Sequence, residues 1–209
     1  MIAIIDYGIG NLHSVSKAIE RLGYETCVTS SEKEILAADG AILPGVGAFG
    51  DAMKHLRETG LQEVVYKFVD TGKPLLGICL GMQLLFSSSE EYGEHKGLDL
   101  LPGHVVRFQG DYKIPHMGWN RLDVKQPTHL LFEGIESGYV YFVHSFHVKL
   151  DDPANLLATT DYYQEVTAVV GKDNVFGMQF HPEKSSDVGI SLLSNFLKTT
   201  VVSVSLSKD

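Results

Sequence analysis

The sequence predicts an α/β protein whose mixed, largely parallel central sheet is flanked by helices, with a second half that is rich in β-strands. In the first half, short β-rich runs alternate with helical patterns, which is typical of parallel strands joined by crossover helices. Beyond Gly97 the strand-like runs become shorter and follow one another directly, and one last helical pattern comes after them.

The first half repeats a cycle of strand, loop and helix. After the first strand, Leu12, Val15 and Ile19 recur at helical spacing, and Gly23 stands where a helix C-terminus often takes a left-handed residue. Ser31 is a candidate N-cap for a second, short helix. The predicted strands are 2–6, 25–29, 41–43 and 75–79, and a longer helical stretch, interrupted at Gly60, covers 49–70.

Four strand-like runs and one helix are predicted in the second half. The runs cover residues 105–108, 139–148, 165–170 and 175–180, and the helix covers 188–198. No linker, internal repeat or low-complexity stretch divides the sequence, so residues 1–198 are predicted to form a single domain. Residues 199–209 are too polar and unpatterned to assign to an element, and we expect a loose C-terminal tail.

The net charge and the apolar runs exclude several classes of protein. With a net charge of -9, the chain lacks the clustered Lys and Arg of a sequence-independent nucleic-acid binder, so no nucleic-acid partner is expected. The opening apolar run meets Asp6 too early for a signal-peptide core, and no stretch approaches the roughly 20 apolar residues of a membrane span. We therefore expect a cytoplasmic protein in which Cys27 and Cys79 are thiols.

Cys79 is the candidate nucleophile. Residues 77–81 (Gly-Ile-Cys-Leu-Gly) follow a buried-looking strand and open a helix, so they match the Gly-x-nucleophile-x-Gly elbow with cysteine in place of serine. Glycine on both sides allows the sharp turn and the close approach of a substrate. A helix N-terminus favours a thiolate, and the Leu80 amide is placed to donate to an oxyanion. The alternative, a buried structural cysteine, suits Cys27 better, because Cys27 lies in an amphipathic strand without glycine neighbours.

His181 and Glu183 are the candidate base and its orienting carboxylate. His181 emerges at a strand C-terminus, the edge at which open α/β sheets place their chemistry. Pro182 fixes the turn, and Glu183 is close enough to accept a histidine N–H and hold the ring in one tautomer. Alone, a His-Pro-Glu triplet is more often a plain turn, so this interpretation depends on its occurrence together with the cysteine elbow.

The stretch 44–47 (Pro-Gly-Val-Gly) follows another strand. Its two glycines allow the amide of Val46 or Gly47 to turn toward Cys79 as a second oxyanion donor, in a fixed hole or on a hinge. An ordinary strand-ending turn is the alternative interpretation.

Cofactor and metal motifs are missing from the sequence. Residues 8–10 (Gly-Ile-Gly) lack the third glycine of a dinucleotide fingerprint, and there is no Walker-type loop, so no nucleotide cofactor is expected. His144 and His147 are predicted to lie on opposite faces of one strand, and the histidines form no recognisable metal signature, so no metal is expected. These histidines are interpreted as structural or partner-facing.

The two catalytic motifs resemble those of the class I (triad) glutamine amidotransferases. The stretches that carry this resemblance are 77–83 (Gly-Ile-Cys-Leu-Gly-Met-Gln) and 180–183 (Phe-His-Pro-Glu). The resemblance spans nearly the whole chain and implies the flavodoxin-like α/β fold of that family. Further stretches resemble one branch of it, the glutaminase subunits of imidazole glycerol phosphate synthase in histidine biosynthesis; they are 6–12, 44–49, 115–120, 141–146 and 181–185.

The resemblance implies a role for each site residue and a glutamine substrate. It implies Cys79 as nucleophile, His181 as base and acid, and Glu183 as orienter. It places Gly47, Gln83 and Ser145 around the bound glutamine.

The resemblance also implies a heterodimer with a barrel-shaped cyclase subunit, which uses the ammonia to form imidazole glycerol phosphate and an aminoimidazole carboxamide ribotide. Asn11, Trp119 and Lys184 are the implied partner contacts, although the polar setting of Trp119 is also compatible with a core position. Three alternatives stay open: another ammonia donor of this family, for instance for a carboxylate-amidating or pyridoxal-phosphate synthase; a free-standing cysteine hydrolase; and an inactive binding or regulatory subunit.

Overall fold

The computed structural model describes the backbone of residues 1–206 of the 209-residue chain and the side chains of residues 1–201. Within this part of the chain, the strands form one nine-stranded sheet and one four-stranded sheet. The fold is α/β, which confirms the predicted class.

The first half follows the predicted alternation of strands and helices. Gly60, with a φ of 75°, separates the two helices of the long helical stretch, as predicted. The strands are β1 (Ile2–Ile5), β2 (Thr26–Thr29), β3 (Gly40–Gly45) and β4 (Leu75–Cys79). The helices are α1 (Leu12–Arg21), α2 (Glu32–Ala37), α3 (Phe49–Glu58), α4 (Leu61–Asp70) and α5 (Leu80–Leu84).

The second half contains more strands than predicted. They are β5 (Phe86–Ser89), β6 (His95–Lys96), β7 (Leu101–Arg107), β8 (His116–Val124), β9 (Gly138–His144), β10 (Phe146–Leu150), β11 (Leu156–Asp161), β12 (Glu165–Lys172) and β13 (Val175–Met178). The prediction missed β5, β6, β8 and β11. In β8 the reason is visible, because the strand exposes Met117 and Trp119 and partly exposes Asn120, so it lacks the apolar-in, polar-out alternation.

The order of the large sheet is β2-β1-β3-β4-β13-β12-β11-β8-β9, and that of the small sheet is β10-β7-β5-β6. In the large sheet, the pairs from β2 to β13 are parallel and those from β13 to β9 are antiparallel. Within the large sheet, the parallel strands are therefore confined to one half, and the small sheet adds one parallel pair, β5 with β7.

Both faces of the central parallel strands β1, β3 and β4 are buried. Along β1, Ala3 and Ile5 face the core that α2, α3 and α4 cover, whereas Ile2 and Ile4 face the core that α1 and α6 (Ser186–Leu206) cover. Because strand side chains alternate between faces, a strand buried on both sides is a continuous apolar run. This is why β1 was predictable from sequence.

The last helix is longer than predicted. It continues past Lys198 to Leu206, so the predicted helix end is too early and the predicted tail is helical as far as Leu206. Thr200 is 1% exposed, and its methyl group packs where any side chain at Gly40 would collide with it. Residues 207–209 of the predicted tail lie outside the described residues, and a single domain over 1–198 stays a prediction. Among the described helices, none combines the length and apolar character needed to cross a membrane.

Candidate active site

The C-terminal ends of three neighbouring parallel strands bring the site together. Gly45 of β3 lies beside Cys79 of β4, and Met178 of β13 lies beside Ile78. The loop after β3 therefore leaves the sheet on one side of Cys79, and the chain that leads to His181 leaves it on the other side. Open α/β sheets hold their ligands at this edge.

Cys79 occupies the sharp turn between β4 and α5. Its φ of 55° and ψ of -114° are unusual for a residue with a side chain and carry backbone strain. A Cβ at Gly81 would lie 1.8 Å from the Leu43 carbonyl oxygen, and a Cβ at Gly77 would lie 2.6 Å from the Gly81 carbonyl oxygen. Packing therefore requires glycine at both positions of the elbow.

His181 and Glu183 form a buried pair directly after β13. His181 Nδ1 lies 3.0 Å from Glu183 Oε1, and the two side chains are 5% and 1% exposed. The Ser185 hydroxyl donates to the His181 carbonyl at 2.6 Å, and the His181 amide donates to the Tyr141 carbonyl at 3.1 Å. These hydrogen bonds fix the turn that carries the pair against β9.

The charge of His181 depends on both of its neighbours. Burial disfavours a charged ring, but hydrogen bonds to Cys79 and Glu183, and the attraction of their negative charges, outweigh burial and raise the pKa of His181 from 6.5 to about 9. The ring is therefore positively charged at neutral pH and bridges the candidate nucleophile and the carboxylate.

A cavity of about 410 Å³ contains Cys79 and His181 in its wall. Glu183 is not part of this wall and acts on the cavity through His181. The predicted oxyanion and substrate-binding residues also line the cavity, and they are Val46, Gly47, Leu80, Gln83 and Ser145.

The loop after β3 has a fixed base and an open tip. At the base, the Tyr7 hydroxyl donates to the Pro44 carbonyl at 2.7 Å, and a Cβ at Gly45 would lie 2.8 Å from that hydroxyl. At the tip, Val46 is 43% exposed, and Gly47 has a φ of 89° with open space around the position of a Cβ. Gly47 is therefore required for its backbone conformation, whereas Gly45 is required for close packing.

Two buried glutamines extend the site from Cys79 to the start of β10. Gln83 Nε2 donates to the Phe146 carbonyl and to Gln179 Oε1, each at 3.0 Å, and Gln179 Nε2 donates to Cys79 Sγ at 4.0 Å. Gln179 was not predicted as a site residue, because it lies inside an apolar strand-like run and nothing in the sequence marks its amide as a contact of the sulfur.

Glu91, which was not predicted as a site residue, also lines the cavity. The Phe49 amide donates to Glu91 Oε2 at 2.7 Å, and burial raises the pKa of the Glu91 carboxyl. A carboxylate at this position can accept hydrogen bonds from a positively charged group of a ligand. Glu91 follows β5 in a polar stretch without a motif, so no signal in the sequence distinguishes it from other surface carboxylates.

The prediction that His144 and His147 lie on opposite faces of one strand is wrong. The chain leaves β9 at His144 and enters β10, in the other sheet, at Phe146. As a result both imidazole rings pack against Phe108, with ring centroids 5.2 and 4.6 Å apart. His144 also lines the cavity. Within residues 1–201, no cluster of three or more His, Cys, Asp or Glu side chains is arranged to hold a metal ion.

The outer face of β8 and β9 is exposed and aromatic. Trp119 pairs with Tyr141 across the two strands, and Arg121 pairs with Tyr139, so all four side chains lie on one face. Trp119 is 54% exposed and Tyr139 is 61% exposed, so Trp119 is not a core residue. Val143, on the same face, lines the cavity, which places this outer face beside the site.

The other two predicted partner contacts lie on neighbouring elements. Asn11 is partly buried and directly precedes α1, and Lys184 is exposed at the end of the turn Pro182–Lys184. That turn packs against both α1 and β9. The three predicted contacts therefore belong to adjoining parts of the surface.

Comparison with known proteins identifies the family. Residues 3–200 match the sequence family described as glutamine amidotransferase class-I. Similar chains include imidazole glycerol phosphate synthase subunit HisH from Halalkalibacterium halodurans, which is 58% identical over 202 residues with 94% of each chain covered. The subunit of the same name from Sulfurimonas denitrificans is 52% identical over 204 residues, with 95% of this chain and 98% of that chain covered.

Solved structures share the fold at low identity. A crystal structure of glutamine amidotransferase matches with a TM-score of 0.76 at 23% identity and covers 96% of this chain and 98% of its own. The structure of PurLQS from Thermotoga maritima matches with a TM-score of 0.70 at 21% identity and covers 94% and 97%. Because the family match extends over nearly the whole sequence, this chain belongs to the class I glutamine amidotransferases.

Proposed function

We propose that this chain is the glutaminase subunit of an imidazole glycerol phosphate synthase and that it hydrolyses glutamine to glutamate and ammonia at Cys79. The observation that carries the proposal is that Cys79 and His181 lie in the wall of one cavity while Glu183 holds the His181 ring from behind at 3.0 Å. The relatives from Halalkalibacterium halodurans and Sulfurimonas denitrificans, which are named as subunits of this synthase, support the choice of synthase.

The first half of the reaction forms a thioester. Cys79 Sγ attacks the carboxamide carbon of glutamine, and the carbonyl oxygen becomes an oxyanion that accepts hydrogen bonds from the Leu80 amide and from the amide of Val46 or Gly47. His181, which is positively charged, then protonates the leaving nitrogen, so that ammonia departs when the C–N bond breaks.

The second half of the reaction releases glutamate. His181, now neutral, takes a proton from water while the water oxygen attacks the thioester carbon. Collapse of the second oxyanion breaks the C–S bond and returns the thiolate, next to a positively charged His181. Glu183 keeps the imidazole in one orientation through both halves, because its Oε1 accepts the Nδ1 hydrogen.

The remaining cavity residues bind the amino-acid end of glutamine. Glu91 accepts hydrogen bonds from the α-ammonium group, for which its partly buried carboxylate is suited. Gly47, Gln83 and Ser145 surround the rest of the substrate.

The ammonia is used by a second chain, the barrel-shaped cyclase subunit of a heterodimer. That subunit forms imidazole glycerol phosphate and an aminoimidazole carboxamide ribotide in histidine biosynthesis. The exposed face with Trp119 and Tyr139 is the docking surface, with Asn11 and Lys184 at its edge, since Val143 connects this face to the cavity. The cytoplasm suits a reaction that needs a reduced thiol, and Cys27 and Cys79 are both unpaired.

His181 is expected to titrate near pH 9 in the wild-type chain and at lower pH in Cys79→Ala, because the variant loses the hydrogen bond and the charge of Cys79 while burial still disfavours the charged ring. The measurement is an NMR titration of the imidazole carbon-bound hydrogens. Since the folded-state pKa is raised, the charge on His181 favours folding fully below about pH 6.5, and this contribution is lost as the pH rises through about 9. Cys27→Ala is the matched control, and an unchanged His181 titration in Cys79→Ala would contradict the coupling.

Cys79→Ala is expected to abolish glutamine-dependent product formation by the complete synthase, because the other thiol of the chain, Cys27, does not line the cavity and cannot form the thioester. The same variant complex is expected to form product from added ammonium salt at alkaline pH, where more free ammonia exists. Product is measured with each nitrogen source, and Cys27→Ala, on the edge strand β2, should behave as wild type. If the Cys79→Ala complex forms product from glutamine, Cys79 is not the nucleophile. If it forms no product from ammonia, this chain contributes to the acceptor reaction.

Trp119→Ala is expected to weaken binding of the cyclase subunit by about 2 kcal/mol or more, roughly 30-fold in Kd, because exposed tryptophans at the centre of an interface dominate its binding energy. Isothermal titration calorimetry measures the affinity. Val28→Ala is the control, since Val28 is 44% exposed on β2, at the opposite edge of the sheet from β9. Equal affinities for Trp119→Ala and Val28→Ala mean that the docking surface lies elsewhere.

A further inference from the structure

We propose that His144, oriented by His116, is a positioning residue for glutamine hydrolysis: it holds the Phe146 carbonyl, and with it the Ser145–Phe146 backbone that forms one wall of the glutamine cavity. The inference rests on the proposed function, because it takes glutamine as the ligand of that cavity. Ser145, Phe146 and His144 all line the cavity.

The hydrogen-bond partners determine the tautomer of both histidines. His144 Nδ1 lies 2.7 Å from the Phe146 carbonyl oxygen, which only accepts, so His144 carries its hydrogen on Nδ1. In a neutral ring Nε2 then accepts, and His116 Nδ1 lies 2.9 Å from it and must donate. Each ring therefore has its hydrogen on Nδ1.

Asn120 closes the far end of this series. Its Nδ2 donates to His116 Nε2 at 3.2 Å and to the Asp161 carbonyl at 2.7 Å, and its Oδ1 accepts from the Arg121 amide at 2.8 Å. The direction of donation is thus the same from Asn120 through His116 and His144 to Phe146. A series with an acceptor at one end and a donor at the other has only one arrangement of hydrogens.

Both imidazoles are neutral, as this arrangement requires. His116 is 2% exposed and His144 is 6% exposed. Burial lowers the pKa of His116 to about 4 and that of His144 to about 3, and the positive charge of nearby His181 contributes to the lowering at His144. Because both rings are neutral, the positive charge of His181 does not repel them.

His144 is a positioning residue and not a second base. Its Nδ1 is bonded to Phe146 and its Nε2 to His116, so neither ring nitrogen is left for glutamine or water. Its effect reaches the reaction through the backbone. The Phe146 carbonyl accepts from His144 and also from Gln83, which is joined through Gln179 to the Cys79 sulfur.

The position of this carbonyl matters because the chain changes sheets here. His144 is the last residue of β9 and Phe146 is the first residue of β10, so Ser145 lies between the two sheets. The Phe108 amide holds the Ser145 carbonyl at 3.1 Å, and His144 and Gln83 hold the Phe146 carbonyl. Without His144, Gln83 alone of these two side chains holds the Phe146 carbonyl, so the orientation of the backbone presented to glutamine is less well fixed.

Substitution of His144 by asparagine or by glutamine tests its two hydrogen bonds, to Phe146 and to His116, one at a time. The Nδ2 of asparagine reaches the position of histidine Nδ1, so His144→Asn keeps a donor to Phe146. The amide of glutamine reaches the position of histidine Nε2, so His144→Gln keeps a partner for His116 and loses the donor to Phe146. Because both variants place an amide in the same buried site, a general loss of packing affects them alike.

We expect His144→Gln to raise the KM for glutamine about tenfold, the order of one lost hydrogen bond, with kcat within about twofold of wild type. We expect His144→Asn to keep the KM within about threefold. The assay uses the synthase complex, and His104→Gln, at an exposed histidine outside the cavity, is the control. An unchanged KM in His144→Gln, or equal KM values in His144→Gln and His144→Asn, overturns the proposal.

A measurement on the wild-type chain keeps the proposal testable if a variant does not fold or if the chain does not hydrolyse glutamine. Long-range ¹H–¹⁵N NMR correlations distinguish the two neutral tautomers of each imidazole. The proposal requires the Nδ1–H tautomer for both His116 and His144, and an Nε2–H tautomer for His144 overturns it. Absence of glutamine hydrolysis by the wild-type complex, in contrast, refutes the proposed function and leaves the tautomer result to stand by itself.

Discussion

The left-handed backbone of Cys79 at the end of β4 is the constraint on which the rest of the site depends. The turn is so tight that α5 passes against β3, where a Cβ at Gly81 would lie 1.8 Å from the Leu43 carbonyl oxygen. This turn requires a strained residue at Cys79 and glycine at positions 77 and 81. It places the thiol at the sheet edge, between the loop after β3 and the turn after β13. Val46 and Gly47 follow one neighbouring strand and His181 follows the other, because parallel strands end at the same edge.

Charge is distributed unevenly among the aromatic and imidazole groups around this turn. His181 is held positive by Cys79 and Glu183 against the effect of burial, whereas burial keeps His116 and His144 neutral. Burial raises the pKa of Tyr7, and the charge of Cys79 adds to this, so the Tyr7 hydroxyl keeps its hydrogen and donates to Pro44. Side chains of the same type thus differ in charge: the His181 ring beside Cys79 is positive, whereas the His116 and His144 rings are neutral.

The parts of the site that the sequence predicted are those in which local geometry demands particular residues. The elbow needs glycines beside Cys79, and the short distance along the chain from His181 to Glu183 needs the turn at Pro182, so both motifs are visible without a structure. Glu91, His144 and Gln179 could not be found in this way. Glu91 and His144 line the cavity, and Gln179 donates to Cys79 beside it, through tertiary contacts between segments that lie far apart in the sequence. Such contacts leave no mark on a few neighbouring residues. The strand β8 was missed because its exposed residues Met117 and Trp119 are apolar, which hides the alternation of apolar and polar residues that is typical of a half-buried strand.

The central claim is that Cys79 is the group that bonds to the glutamine carbon. The most direct measurement is peptide mapping by mass spectrometry after reaction with a glutamine analogue that carries an electrophilic carbon in place of the carboxamide, with glutaminase activity followed in parallel. The account predicts one adduct per chain, at Cys79, formed in proportion to the loss of activity and slowed by excess glutamine, with Cys27 unmodified. An adduct at another residue, or full activity in a chain whose Cys79 is modified, would contradict it.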